Sequence, residues 1–243
     1  MRSNLYTLPS DPDSACMGPG DHGHWSMQAN NTAAAALAVL AVDDDTDFAR
    51  AGMSQDEMLS WALKMIRFNL RSHHVGGGAA TDLETWGHFW ISVLCLERLG
   101  HATDALGDLL PDEDRDLLYR VHVSESDWLL DHYEITAGLV ENNKPESNIW
   151  NGCMLHRTAR EVPDTARRDE YLEKGTRFLL NGISTPSDAD LEDIVSGRPV
   201  SDWHVGANMY DNMACNHHGY LNVGYMGICL SNSAMMHFSC VAN

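Results

Sequence analysis

The chain has 243 residues, 44% of them apolar and 21% charged, room for one large domain or two small ones with a sizeable core. Its 35 acidic and 16 basic residues leave a formal net charge of −19, a surface that repels nucleic acid and anionic membranes and removes both from the expected partners. No stretch approaches the roughly 20 apolar residues of a membrane span. Met1 to Gly20 also lacks the apolar run of a signal peptide. The six cysteines are scattered without a short-range pair, which favours a reducing, cytoplasmic setting.

Residues 1–29, rich in Pro, Asp and Gly, read as an irregular N-terminal segment. Asn31-Thr32 then caps an alanine-rich first helix to about Val42. Asp43-Asp44-Asp45 ends it as a solvated turn, since the loop lacks the glycine and terminal glutamate of an EF-hand. Ser54 with Glu57 forms a capping box for a second helix, with Leu59, Leu63, Ile66 and Leu70 on one stripe. Gly76-Gly77-Gly78 is a flexible link and not a phosphate loop, because no lysine follows and no strand precedes it.

A third helix spans about Glu84 to Leu99, stops at Gly100, and is apolar nearly all round. The fourth runs from Asp112 to about His132, with Leu117, Val121, Trp128 and Leu129 facing inward. Pro145 opens a fifth that ends before Pro163, and Arg167 to Asn181 is a sixth, closed by Gly182. The long stretch Ile183 to Cys215 is irregular, and its polar part, Ser184 to Ser201, has the length of a lid. The seventh helix carries the last apolar run.

Strand signals are few and no βαβ alternation occurs, so the fold class is all-α. The second, fourth and sixth helices start about 55 residues apart, the mark of an αα-hairpin array closing into an incomplete (α/α) toroid over residues 1–243. The third, fifth and seventh helices then form an inner layer with their N-termini at one end. Polar and aromatic residues collect there: Trp86-Gly87-His88 on the third, Glu146-Ser147-Asn148-Ile149-Trp150-Asn151 on the fifth, and the Asn216-His217-His218 segment opening the seventh. His218, Asn222 and Tyr225 stand at helical i, i+4 and i+7, which puts an imidazole, an amide and a phenol on one face. His88, Asn148, Asn208, His218 and Tyr225 are expected to line one cavity, where a nitrogen base and a phenolic acid divide a proton transfer.

These residues, with Gly206-Ala207-Asn208, resemble the α/α-toroid polysaccharide lyases: the heparinase II/III-like proteins and the chondroitin and hyaluronate lyases. The resemblance spans roughly Asn30 to Phe238. It implies β-elimination on a uronic-acid glycan, with Asn208 neutralising the uronate carboxylate, His218 or its neighbour as base, and Tyr225 as proton donor. Trp86, His88, Glu146, Asn148, Trp150, Asn151, Asn216 and His217 are implied to bind substrate. Two departures stand out: the seventh helix lacks the arginine those enzymes place near the leaving oxygen, and no β-sandwich domain follows the helices. The chain is therefore expected to be part of a longer toroid.

The residues leave two alternatives. A glycoside hydrolase on the same architecture needs two facing carboxylates, for which Asp82, Glu84, Glu146 and Asp211 are available. A non-catalytic helical scaffold needs none of this chemistry. The pairs His22/His24 and His73/His74 lack a clear third ligand, so neither a metal nor a cofactor is expected.

Overall fold

The computed structural model describes residues 4–140 and 143–241. Helix accounts for 59% and strand for 9%, with nine α-helices and no closed sheet among the described residues. No helix of the described residues is long and apolar enough to cross a membrane. The chain forms two compact units, 1–125 and 126–243.

The first unit opens with an antiparallel hairpin, β1 (Leu5–Leu8) and β2 (Asp11–Met17), in place of the irregular segment expected. Pro12 is tolerated because only one neighbour pairs with β2, and Arg71 holds Asp11 at 2.7 Å. Helix α1 (His24–Val42) begins seven residues before the expected start, at His24 and not at Asn31. Asn30 and Asn31 do not cap it. Both are buried, Asn30 accepting from the Met17 amide at 2.9 Å and Asn31 donating to the Cys95 carbonyl at 2.7 Å. Short α2 (Phe48–Ala51) leads to α3 (Gln55–Ser72), where Ser54 Oγ accepts the Glu57 N–H at 3.2 Å as the N-cap.

Helix α4 covers Ser92–Leu106, so the expected start at Glu84 is too early by two turns. Residues 82–91 form a loop. Helix α1 packs on both α3 and α4, its alanines allowing close approach, around Leu37, Met65, Ile66, Val93, Leu96 and Leu99. Val93 and Leu96 are buried as the apolar character of that segment predicts, while Phe89, in the loop, is half exposed. Helix α5 (Asp112–His132) runs through the boundary at residue 125.

In the second unit, α6 (Pro145–Glu161) packs against α7 (Arg168–Gly182) and α9 (Val223–Val241). Gly152 permits the α6–α7 approach: a Cβ there would sit 2.7 Å from Leu179 Cγ. The connection after α7 contains a 3-10 turn (Pro186–Asp190), the two-residue strands β3 (Ile194–Val195) and β4 (Arg198–Pro199), and α8 (Val200–Trp203). Strands β5 (Asn216–His217) and β6 (Tyr220–Leu221) then pair just before α9. Five cysteines are buried free thiols, and Cys240 is exposed.

Candidate functional site

His218, Asn222 and Tyr225 do not share a helix face. His218 and Gly219 are the two turn residues between β5 and β6, with φ of +59° and +83°. Two successive positive φ values make the type I′ hairpin turn, which matches strand twist and favours glycine second. A non-glycine residue held there costs on the order of 1 kcal/mol. The turn brings His218 Nε2 to 3.2 Å from Tyr225 Oη. The contact that the helical spacing suggests is thus made by a hairpin. Asn222 has a different role, accepting the Tyr225 N–H at 3.1 Å as the N-cap of α9.

Against the exposed His218 and half-buried Tyr225 lies His217, buried, with its ring centroid 4.0 Å from that of Tyr225 and 4.1 Å from that of His218. Asn143 braces the hairpin: Nδ2 donates to the Asn216 carbonyl at 2.6 Å, and Oδ1 lies 2.9 Å from His217 Nδ1. His217 Nε2 and Asn216 Oδ1 are buried with no hydrogen-bond partner. Burial, then the neighbouring His218 and Lys144, pushes the His217 pKa down. Burial, then the charge of Glu146, pushes the Tyr225 phenol up.

Glu146, in the first turn of α6, is itself buried, and its Oε2 has no partner. Burial raises its carboxyl pKa. Trp150 is a core aromatic with a buried, unpartnered indole N–H, and Asn151 is buried beside the Tyr133 phenol. Neither is on the surface, which is a correction to their expected place in an open mouth.

Asn148 and Asn208 also come together, but as struts. Asn208 Nδ2 donates to the carbonyls of Asn181 (2.6 Å) and Thr136 (3.0 Å), and Oδ1 accepts the Lys144 N–H at 3.0 Å. Asn148 Nδ2 donates to the same Thr136 carbonyl at 2.8 Å. Both amides are fully buried, and Asn208 has no hydrogen left for a substrate carboxylate. Its expected role as the carboxylate-neutralising residue is corrected to one of tying three segments together.

Trp86 and His88 belong to the first unit and lie in a loop, not on a helix end. Trp86 is buried, donates Nε1–H to the Asn69 carbonyl at 2.9 Å, and bridges to His73. It is a core residue, with no ring face open to a sugar. The loop is organised by Glu125, a residue that its sequence neighbours do not mark as functional. This fully buried carboxylate accepts from His73 Nε2 (2.8 Å), the His88 N–H (2.6 Å) and Ser92 Oγ (2.5 Å). Val75 N–H donates to His73 Nδ1 at 3.3 Å, which leaves the proton for Glu125 on Nε2. Against the cost of burial, these bonds hold the Glu125 pKa below its ordinary value.

His88 Nε2 reaches Ser124 Oγ at 2.8 Å, and burial lowers its pKa. The loop bounds a cavity of about 190 Å³ whose lining includes His22, His24, Trp86, Phe89 and Ser92. Of the carboxylates weighed for a hydrolase, Asp82 is ion-paired with His22 at 2.6 Å, and Asp211 is exposed and accepts the Ser187 N–H. Among the described residues, no group of three or more His, Cys, Asp or Glu is placed to hold a metal ion.

Comparison of the chain with protein-family models, curated proteins and solved structures returns no match.

Proposed function

We propose that the chain is a carbohydrate-active lyase, or the helical part of one, that cleaves a uronic-acid glycan by β-elimination at the β5–β6 hairpin. The observation that carries this reading is the contact between His218 Nε2 and Tyr225 Oη, backed by the buried ring of His217. A phenol whose pKa lies above its ordinary value is a proton donor and a poor base, whereas an imidazole titrates near neutrality. In the reaction, the histidine pair takes the proton α to the carboxylate. That C–H electron pair forms the new double bond, the bond to the β-oxygen breaks, and the oxygen takes its proton from Tyr225. The proton held by histidine then returns to the phenolate, so no water or other reactant is consumed.

The uronate carboxylate must be neutralised for its α-proton to leave. Since Asn208 is fully engaged, the group suited to this is Glu146, whose raised pKa favours the protonated form, a hydrogen-bond donor to a carboxylate. The helices pack on one another within each unit, α1 against α3 and α4 in one and α6 against α7 and α9 in the other, which supports a helical array as the frame of the site.

A protonated buried Glu146 also favours the second reading, a glycoside hydrolase with Glu146 as general acid. Incubation with uronate polymers separates the two. Elimination produces a conjugated double bond that absorbs in the ultraviolet, and hydrolysis produces reducing ends without it. Reducing ends alone would overturn the lyase reading, and neither product would favour the scaffold.

A further inference from the structure

His217 and Asn143 make a more specific arrangement than the exposed His218. The Asn216 backbone oxygen can only accept, so the Asn143 atom 2.6 Å away is the amide nitrogen. The other terminus, Oδ1, therefore faces His217 Nδ1 at 2.9 Å, and that ring nitrogen must carry the hydrogen. By elimination the lone pair of the neutral ring is on Nε2, which is buried and has no partner. Leaving such an acceptor unsatisfied is costly, and an unpaired buried group of this kind calls for a ligand or a reaction.

We infer that His217 is the proton acceptor of the site and that Asn143 is the positioning residue that presets its Nε2 lone pair. This rests on the elimination reading above for the identity of the proton, but not for the state of the ring. His218, in the strained turn and bonded to Tyr225, serves to orient the phenol. The groups facing His217 are Lys144 ahead of α6, His218 in the turn and Tyr225 on α9, with Glu146 and Cys215 beside them. Burial, then the neighbouring His218 and Lys144, lowers the His217 pKa and favours the neutral ring that a base requires.

Two measurements on the full chain test this. Nitrogen-15 NMR of histidine-labelled protein reads the tautomer without any substrate. The expected result is a His217 ring protonated at Nδ1, and a ring protonated at Nε2 overturns the assignment. Kinetics on a uronate polymer then test the role. His217→Gln should lose about 10²–10⁴-fold in kcat, and His218→Gln less.

Asn143→Ala should lose rate, whereas Asn143→Asp keeps the acceptor and adds a negative charge that favours the imidazolium. Its acid limb should therefore move to higher pH, a shift expected only where His217 is the base that titrates in turnover. Near-normal turnover by His217→Gln, or an unmoved acid limb in Asn143→Asp, overturns the proposal. A wild-type chain inactive on every uronate polymer removes both the lyase reading and the base role, while the NMR result still decides whether Asn143 sets the ring.

Discussion

His88 donates its backbone N–H to the Glu125 carboxylate at 2.6 Å while its own φ of +49° keeps the chain in the left-handed region. A strained residue is thus held by a buried charge, which also anchors His73 and Ser92. Glu125→Ala should cost roughly 3–5 kcal/mol in denaturant unfolding, because the buried carboxylate that accepts from His73, the His88 N–H and Ser92 is removed. The pH dependence has a definite sign. The folded pKa lies below the ordinary 4.5, so this stabilisation is complete above that value and is lost as pH falls through the folded pKa. Glu125→Gln should remove that acid-side component from the stability curve.

Gly87 lies in the same loop at φ +115°, and a Cβ there would come within 2.3 Å of His73 Nε2 and 2.7 Å of Glu125 Oε1. Gly87→Ala is therefore expected to destabilise by about 3 kcal/mol through combined strain and overlap. A thermal midpoint within experimental error of the wild type would contradict this account of the loop.

Tyr225→Phe deletes one hydroxyl and keeps the ring. With Tyr225 as the proton donor, turnover of uronate polymer should fall about 10²–10⁴-fold with no change in the circular dichroism spectrum. Because burial and Glu146 raise the phenol's pKa, the alkaline limb of the wild-type profile should lie above the ordinary phenol value of 10.0. Unimpaired elimination by Tyr225→Phe would return attention to Glu146.

Asn208→Ala distinguishes a strut from a substrate ligand. Its three buried hydrogen bonds predict a loss of about 2–4 kcal/mol in stability. Any loss of activity should be the same on free and on methyl-esterified uronate polymer, since the amide does not meet the carboxylate. A penalty that shrinks on the ester would restore the binding role.

Glu146→Gln tests the buried acid. For a carboxyl with a raised folded pKa, stability is highest below the unfolded value and falls as pH rises through the folded one. The neutral amide escapes that decline, so the variant should be at least as stable as wild type at neutral pH. Turnover on uronate should largely persist, since the amide still donates a hydrogen bond without charge, whereas a general acid at this position would be lost.

Helix-rich architecture was legible because stripes such as Leu59, Leu63, Ile66 and Leu70 repeat at helical spacing. Two boundaries were not. Glu84-Thr85-Trp86 has helical composition, but Trp86 pairs with His73 and Gly87 needs a positive φ, so tertiary contacts override local preference. Helical spacing places His218-Gly219 inside a helix, although a residue followed by glycine between polar and aromatic neighbours is also the sequence of a two-residue hairpin turn. Glu125 left a usable trace: it falls four residues after Val121 and four before Leu129, a carboxylate on an otherwise apolar stripe. Asn143 left none, since its importance depends on a hairpin more than 70 residues away.

The distribution of thiols gives this protein an internal reporter. Five free cysteines are buried and one, Cys240, is exposed. A maleimide should label the native chain once and the unfolded chain six times. Cys16 and Cys95 fall in one unit, and Cys153, Cys215 and Cys229 in the other. Mass spectrometry of partially labelled chains would then show whether the two units open together or one at a time.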